Sequence, residues 1–196
     1  MNALSTSLVV IHLIAGVAVG AQARLFTTGT PSEIQHATSI GLTHLSAWAR
    51  QRGVSDELRV TRVTVDGLSM AHVHVQQFHR GIPVFGGEAI AHLTPQGEPL
   101  TTTDALLRDI TVDTSPRLTA AEAVASAASA VDCADCLPLS TPTLWVVRHD
   151  KSDYLTYRVP LRPRAGPQGS GLPVVFVDAH RGDVVLRYDN LQTLPQ

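Results

Sequence analysis

Lysine, cysteine and net charge are all scarce in this sequence. Lys151 is the only lysine among 15 basic residues, and 17 acidic residues leave a formal net charge of -2. A chain so close to neutral carries no electrostatic footprint for nucleic acid. The longest apolar run, Leu8 to Val19, falls short of the roughly 20 residues that a membrane-spanning helix needs. His followed by Glu occurs nowhere, which excludes the His-Glu-x-x-His helix of zinc peptidases. There is no Gly-x-Ser-x-Gly elbow, and neither cysteine has a histidine beside it in sequence. On these absences the chain is not expected to be an enzyme, and no catalytic residue, metal or cofactor is assigned to it.

What is there begins with an export signal. The first 23 residues contain no Asp, Glu, Lys or Arg, and Ala21-Gln22-Ala23 offers a small-x-small cleavage site before Arg24. Residues 1–23 are therefore read as a signal peptide cut after Ala21 or Ala23. The mature protein is expected to be secreted or periplasmic, with no membrane attachment. The two cysteines, Cys133 and Cys136, form a C-x-x-C that follows an Ala-rich helical run. A thioredoxin-type pair sits at a helix N-terminus, whereas at a C-terminus the macrodipole raises thiol pKa values. A zinc site would need two more soft ligands nearby. Two readings stay open, a small disulfide and two inert thiols.

Turn and periodicity signals divide the rest into two units. Pro31-Ser32-Glu33-Ile34-Gln35 opens a helix, with Ser32 as cap and Gln35 completing a capping box. Ile34, Ala37, Gly41, Leu45 and Trp48 then make an apolar stripe that stops at Gly53. Leu58 to Val65 alternates as a strand, Asp66-Gly67 turns, and Met70 to His79 alternates again. In that second strand Val73 and Val75 share one face, and His72, His74, Gln76 and Phe78 the other. His92 is placed across from the histidines. Such a row could bind a metal, but on a sheet it is ordinarily a solvent-facing polar face. Gly81 and Gly86-Gly87 are expected to break the strand, with Pro83 on an edge or in the connecting loop and Val84 and Phe85 anchoring that loop between helix and sheet. A polar connector near Asp109 to Arg117 leads to a second capping box, Thr119 to Glu122, and an Ala-rich helix over Ala120 to Val131. Strands follow at Thr143 to His149, Tyr154 to Leu161, Val174 to Asp178 and Val184 to Tyr188. The expected class is α+β: two tandem units, each a helix packed on an antiparallel sheet.

One phrase is more specific than periodicity. The 16 consecutive residues His74-Val75-Gln76-Gln77-Phe78-His79-Arg80-Gly81-Ile82-Pro83-Val84-Phe85-Gly86-Gly87-Glu88-Ala89 resemble the signature of the fungalysin/thermolysin propeptide (FTP) domain. The residues that carry the signature are Gln76, Gln77, Gly81, Ile82, Pro83, Val84, Phe85, Gly86 and Glu88, of types that suit turns and packing more than chemistry. Pro116 to Ala123 and Phe176 to Val184 are similar to the helix opening and closing hairpin of the cystatin-like PepSY domain, which follows the FTP domain in such propeptides. The resemblance covers residues 25–192, divided as an FTP-like domain over 24–110 and a PepSY-like domain with its tail over 111–196.

The resemblance implies a chain without its own peptidase domain that inhibits a thermolysin-like zinc metallopeptidase in trans, assists its folding, or both. The alternatives are an envelope module that binds proteins or peptides, and a remnant of a truncated zymogen. The implied inhibitory segment is the tail Asn190, Leu191, Gln192, Thr193, Leu194 and Pro195. Leu191 or Leu194 would enter the pocket for the residue after the cut, and Pro195 would hinder cleavage at Leu194.

Overall fold

A computed structural model describes residues 26–133, 135–162 and 172–190. The expected export signal lies outside the described residues, as does the tail beyond Asn190. No helix among the described residues is long and apolar enough to cross a membrane.

The first half is built on helix α1, Pro31–Gln51. Its cap is Thr30, two residues before the expected Ser32: the Thr30 side chain accepts from the Glu33 amide, and the Glu33 carboxylate accepts from the Thr30 amide at 2.7 Å. Proline explains the difference. Pro31 has no N–H to leave unpaired at the first helical position, and it holds the preceding residue in extended backbone. The buried stripe is Ala37, Gly41, Leu45 and Ala49. A Cβ on Gly41 would stand 2.5 Å from Val73 Cγ2, so the missing side chain lets α1 lie directly on the sheet.

Strands β1 (Phe26–Thr28), β2 (Glu57–Val65), β3 (Ala71–His79), β4 (Ile82–Leu93) and β5 (Pro99–Asp104) complete this half. The β2–β3 turn is longer than the Asp66-Gly67 reading: the Asp66 amide donates to Met70 O, and Ser69 takes the positive φ of 60°. Between β3 and β4, Arg80 and Gly81 both have positive φ in a tight two-residue turn. The second half has helix α2 (Ala120–Ala130), capped by Thr119 and Glu122 as expected, and strands β6 (Leu137–Pro138), β7 (Thr143–His149), β8 (Ser152–Arg162), β9 (Pro173–Asp178) and β10 (Val184–Asp189).

The strands do not form two separate antiparallel sheets. They make one mixed sheet in the order β1-β2-β3-β4-β7-β8-β9-β10, with β5 beside β4 and β6 beside β8. Pairing is parallel at β1–β2 and at β4–β7, where Val84 faces Val146. The physical reason for the join lies in β4. Its outer edge is shared between β5, which pairs from Ala89 to Leu93, and β7, which pairs at Val84.

Three apolar clusters stabilise this sheet. Leu45 of α1 packs on Val63, Val73, Val75, Ala91 and Leu93. Ala123 and Ala127 of α2 pack on Leu155, Val159, Leu161, Val175 and Val177. The third cluster, Val147, Val174 and Phe176, lies on the sheet face opposite α2, because successive residues of β9 point to alternate faces.

Candidate functional site: the signature joint

The signature phrase is an irregular joint between the halves. Gln76 pairs with Glu88 and Phe78 with Pro83, so Gln77 alone on β3 faces the four residues 84–87 on β4. The extra residues bulge outward without ending the strand, contrary to the expected break at the glycines. Pro83 accordingly sits inside β4, opposite Phe78. Gly86 supplies the positive φ of 74°. Gly87 supplies room, since a Cβ there would approach Gln77 Oε1 to 2.9 Å.

A bulge strips backbone groups of their ladder partners; buried Gln76 replaces them, while buried Gln77 ties the joint to the connector. Gln76 Nε2 donates to Val84 O at 2.6 Å and to Gly87 O at 2.9 Å. Gln77, fully buried, pairs with both backbone groups of Leu107: its Oε1 accepts from the Leu107 amide at 2.8 Å, and its Nε2 donates to Leu107 O at 2.8 Å. Nε2 also donates to Asp56 Oδ2 at 2.7 Å. The other oxygen of Asp56 stands 3.0 Å from His79 Nδ1. His79 Nε2 is buried with no partner among the described residues.

Leu107 belongs to the connector, which is fastened as it crosses from one half to the other. The Ala105 amide donates to Glu88 O, the Thr111 amide to Asp153 Oδ2, and the Arg117 and Leu118 amides to Ala179 O. Burial pushes the Asp153 carboxyl up, but the Arg148 guanidinium, bonded at 2.7 and 2.9 Å, and the Thr111 amide outweigh it and hold the carboxyl below its ordinary value.

Phe85 points to the second half rather than into the α1 core. Its ring lies 4.7 Å from that of Phe176, 6.3 Å from Tyr188 and 6.4 Å from Trp145. The expected anchoring between helix and sheet fails because the bulge turns Phe85 toward the third cluster. Where β5 and β7 diverge from β4, a groove of about 590 Å³ opens, lined by Phe85, Trp145 and Tyr188 with Glu88, Asp104 and Arg158 at its polar positions. Asp56, Leu107, Trp145 and Tyr188 went unread in the sequence because their partners are far along the chain, and no local pattern links them.

The remaining expected residues lie elsewhere. Ile82 pairs with His79 in the tight turn. Cys133 and Cys136 are joined in a disulfide with Cα atoms 5.3 Å apart. His72 stands directly across from His92, and His74 stacks near Arg62 on the same face. Burial first, then Arg62, lowers the basicity of His74; burial and then His72 lower that of His92.

The frame just described coincides with a known motif. Residues 56–101, from the Asp56 carboxylate to the start of β5, match the Fungalysin/Thermolysin Propeptide Motif. Among named relatives, Bacillolysin from Brevibacillus brevis is 26% identical over 129 residues, covering 61% of this chain and 24% of that protein. The chain thus spans about a quarter of the length of this curated relative. A solved structure, the Bacillus megaterium YpeB C-terminal domain, superposes with a TM-score of 0.41 at 11% identity, over 86% of this chain and 69% of that one. Nothing about the site follows from so distant a likeness.

Proposed function

We propose that the protein is a secreted, non-catalytic propeptide-like module that binds a separate thermolysin-like zinc metallopeptidase, inhibiting it, assisting its folding, or both. The observation that carries this reading is the Fungalysin/Thermolysin Propeptide Motif at residues 56–101. A template that binds only the native-like partner stabilises it by mass action.

The inhibitory element in this reading is the segment that begins at Asn190, directly after β10. An extended segment can dock by main-chain hydrogen bonds along an active-site strand, with Leu191 or Leu194 filling an apolar pocket and Pro195 withholding a donor. The test is to incubate the purified mature protein with a thermolysin-like peptidase and follow peptide hydrolysis. Inhibition by the full chain, lost on truncation after Asp189, is the expected outcome. Rapid cleavage at Thr193-Leu194 with no loss of peptidase activity overturns the inhibitory part. Unchanged refolding yield of a denatured peptidase overturns the folding part.

The groove beneath Trp145 and Tyr188 favours a second reading, an envelope module that binds peptides. Trp145→Ala separates the two: peptide capture would fall under the second reading, whereas peptidase inhibition through the tail would persist under the first.

A further inference from the structure

The exposed face of β3 and β4 carries a histidine pair that neither the propeptide reading nor the joint uses. His72 Nδ1 and His92 Nδ1 face each other at 2.8 Å, and the rings are nearly perpendicular, at 75°. Their far nitrogens are both held. His72 Nε2 lies 3.4 Å from Asp66 Oδ2, and His92 Nε2 lies 3.3 Å from Thr103 Oγ1. Asp66 is itself fixed, because its other oxygen accepts from the amides of Leu68 and Met70. A fixed carboxylate can only accept, so it places a proton on His72 Nε2 and leaves Nδ1 as a lone pair. The Thr103 hydroxyl can donate or accept. When it accepts, His92 Nδ1 is a lone pair as well, and two lone pairs then point into one gap.

Two nitrogens at about 2.0 Å from one ion, with a right angle between them, stand about 2.8 Å apart. That is the spacing observed, whereas a tetrahedral ion would open the pair to about 3.3 Å. We infer that His72 and His92 form a surface site for a divalent transition-metal ion of tetragonal preference, Cu(II) or Ni(II), with Asp66 and Thr103 orienting the two rings. Among the described residues no three His, Cys, Asp or Glu side chains converge on one point, so the protein supplies two ligands and solvent the others. Before the ion binds, the proton on His92 Nδ1 bridges the 2.8 Å contact. On binding that proton leaves to solvent, while His92 Nε2 takes one up from solvent and donates it to Thr103 Oγ1. The ring stays neutral and no net proton is released. The His72 side chain is 25% exposed, which leaves the gap open to entry.

The experiment titrates the mature protein with CuCl₂ and, separately, NiCl₂ near pH 7.5. One equivalent is expected to bind, with a Cu(II) electron paramagnetic resonance spectrum showing two nitrogen ligands. His72→Gln and His92→Gln are each expected to weaken binding at least tenfold. Asp66→Asn should weaken it less, because it acts through His72. His36→Gln, on α1, is the control and should bind as the parent does. The unsubstituted protein gives a second readout that no folding defect can confound: substoichiometric Ni(II) should broaden the imidazole proton resonances of His72 and His92 before those of any other histidine. Broadening centred on other histidines, or binding unchanged in both glutamine variants, overturns the assignment. So does the absence of saturable binding in the parent.

Discussion

The two halves hold one sheet together by different chemistry. The second half is mostly apolar, with Thr156 and Asp178 as its buried polar residues: α2 presents alanines, and β8 and β9 are buried on both faces around Leu155, Val175 and Phe176. The first half carries the irregular strand, and there the buried groups include Gln76, Gln77 and His79. A regular ladder satisfies its own backbone, so it needs only side chains that fill space. A bulge leaves carbonyls and amides to be satisfied individually, and amide side chains can do this because they donate and accept at once. At the joint, Gln76 marks the place where the backbone departs from its ladder, because its amide supplies the partners that the bulge removes.

The largest expected effect probes the apolar half. Phe176→Ala removes a fully buried ring that touches Phe85 and Tyr188, and should cost about 4 kcal/mol in chemical denaturation. The difference between the halves is broken if the loss is below about 1 kcal/mol. Gln77→Ala comes next. It strands the Leu107 amide and carbonyl and one oxygen of Asp56, and should cost about 2–3 kcal/mol. Hydrogen exchange at the Leu107 amide should accelerate before exchange in β8 and β9 does. Simultaneous acceleration would mean that the network is no local fastening.

Acid provides the third test. The Asp153 carboxyl is lowered in the folded state, so its contribution is complete above the unfolded-state value of about 4 and disappears as pH falls below it. Urea midpoints should drop between pH 5 and pH 3, and Asp153→Asn should flatten that slope at the expense of stability near neutrality. The smallest effect compares like with like: Thr30→Ala and Thr119→Ala each remove one capping box and should each cost about 1 kcal/mol in thermal melts. A larger loss from Thr119→Ala than from Thr30→Ala would show that the longer α1 tolerates a missing cap better than α2.

Local chemistry was legible in the sequence, and long-range pairing was not. The Thr119 cap, the alternation of Val73 and Val75, and four of the five strands after α2 all follow from spacing that a few residues contain. The first cap was misplaced because Ser32 competes with Thr30, and only the constraint from Pro31 decides between them. Strand β5 was missed because Thr101, Thr102 and Thr103 lack apolar alternation. The joint was unreadable for a different reason. Gln77 meets Asp56 and Leu107 at separations of 21 and 30 residues, and Val84 meets Val146 further away still. The phrase marked the place correctly, while its resemblance to a motif said nothing about which half Phe85 would enter.

Phe85 is a plug from one half seated in a socket made by the other. Exchanging the second half for a foreign one would leave this ring facing water unless the newcomer brought its own equivalent of Trp145, Phe176 and Tyr188. Plug and socket are therefore constrained to change together, and shuffling at the connector alone cannot produce a well-packed hybrid.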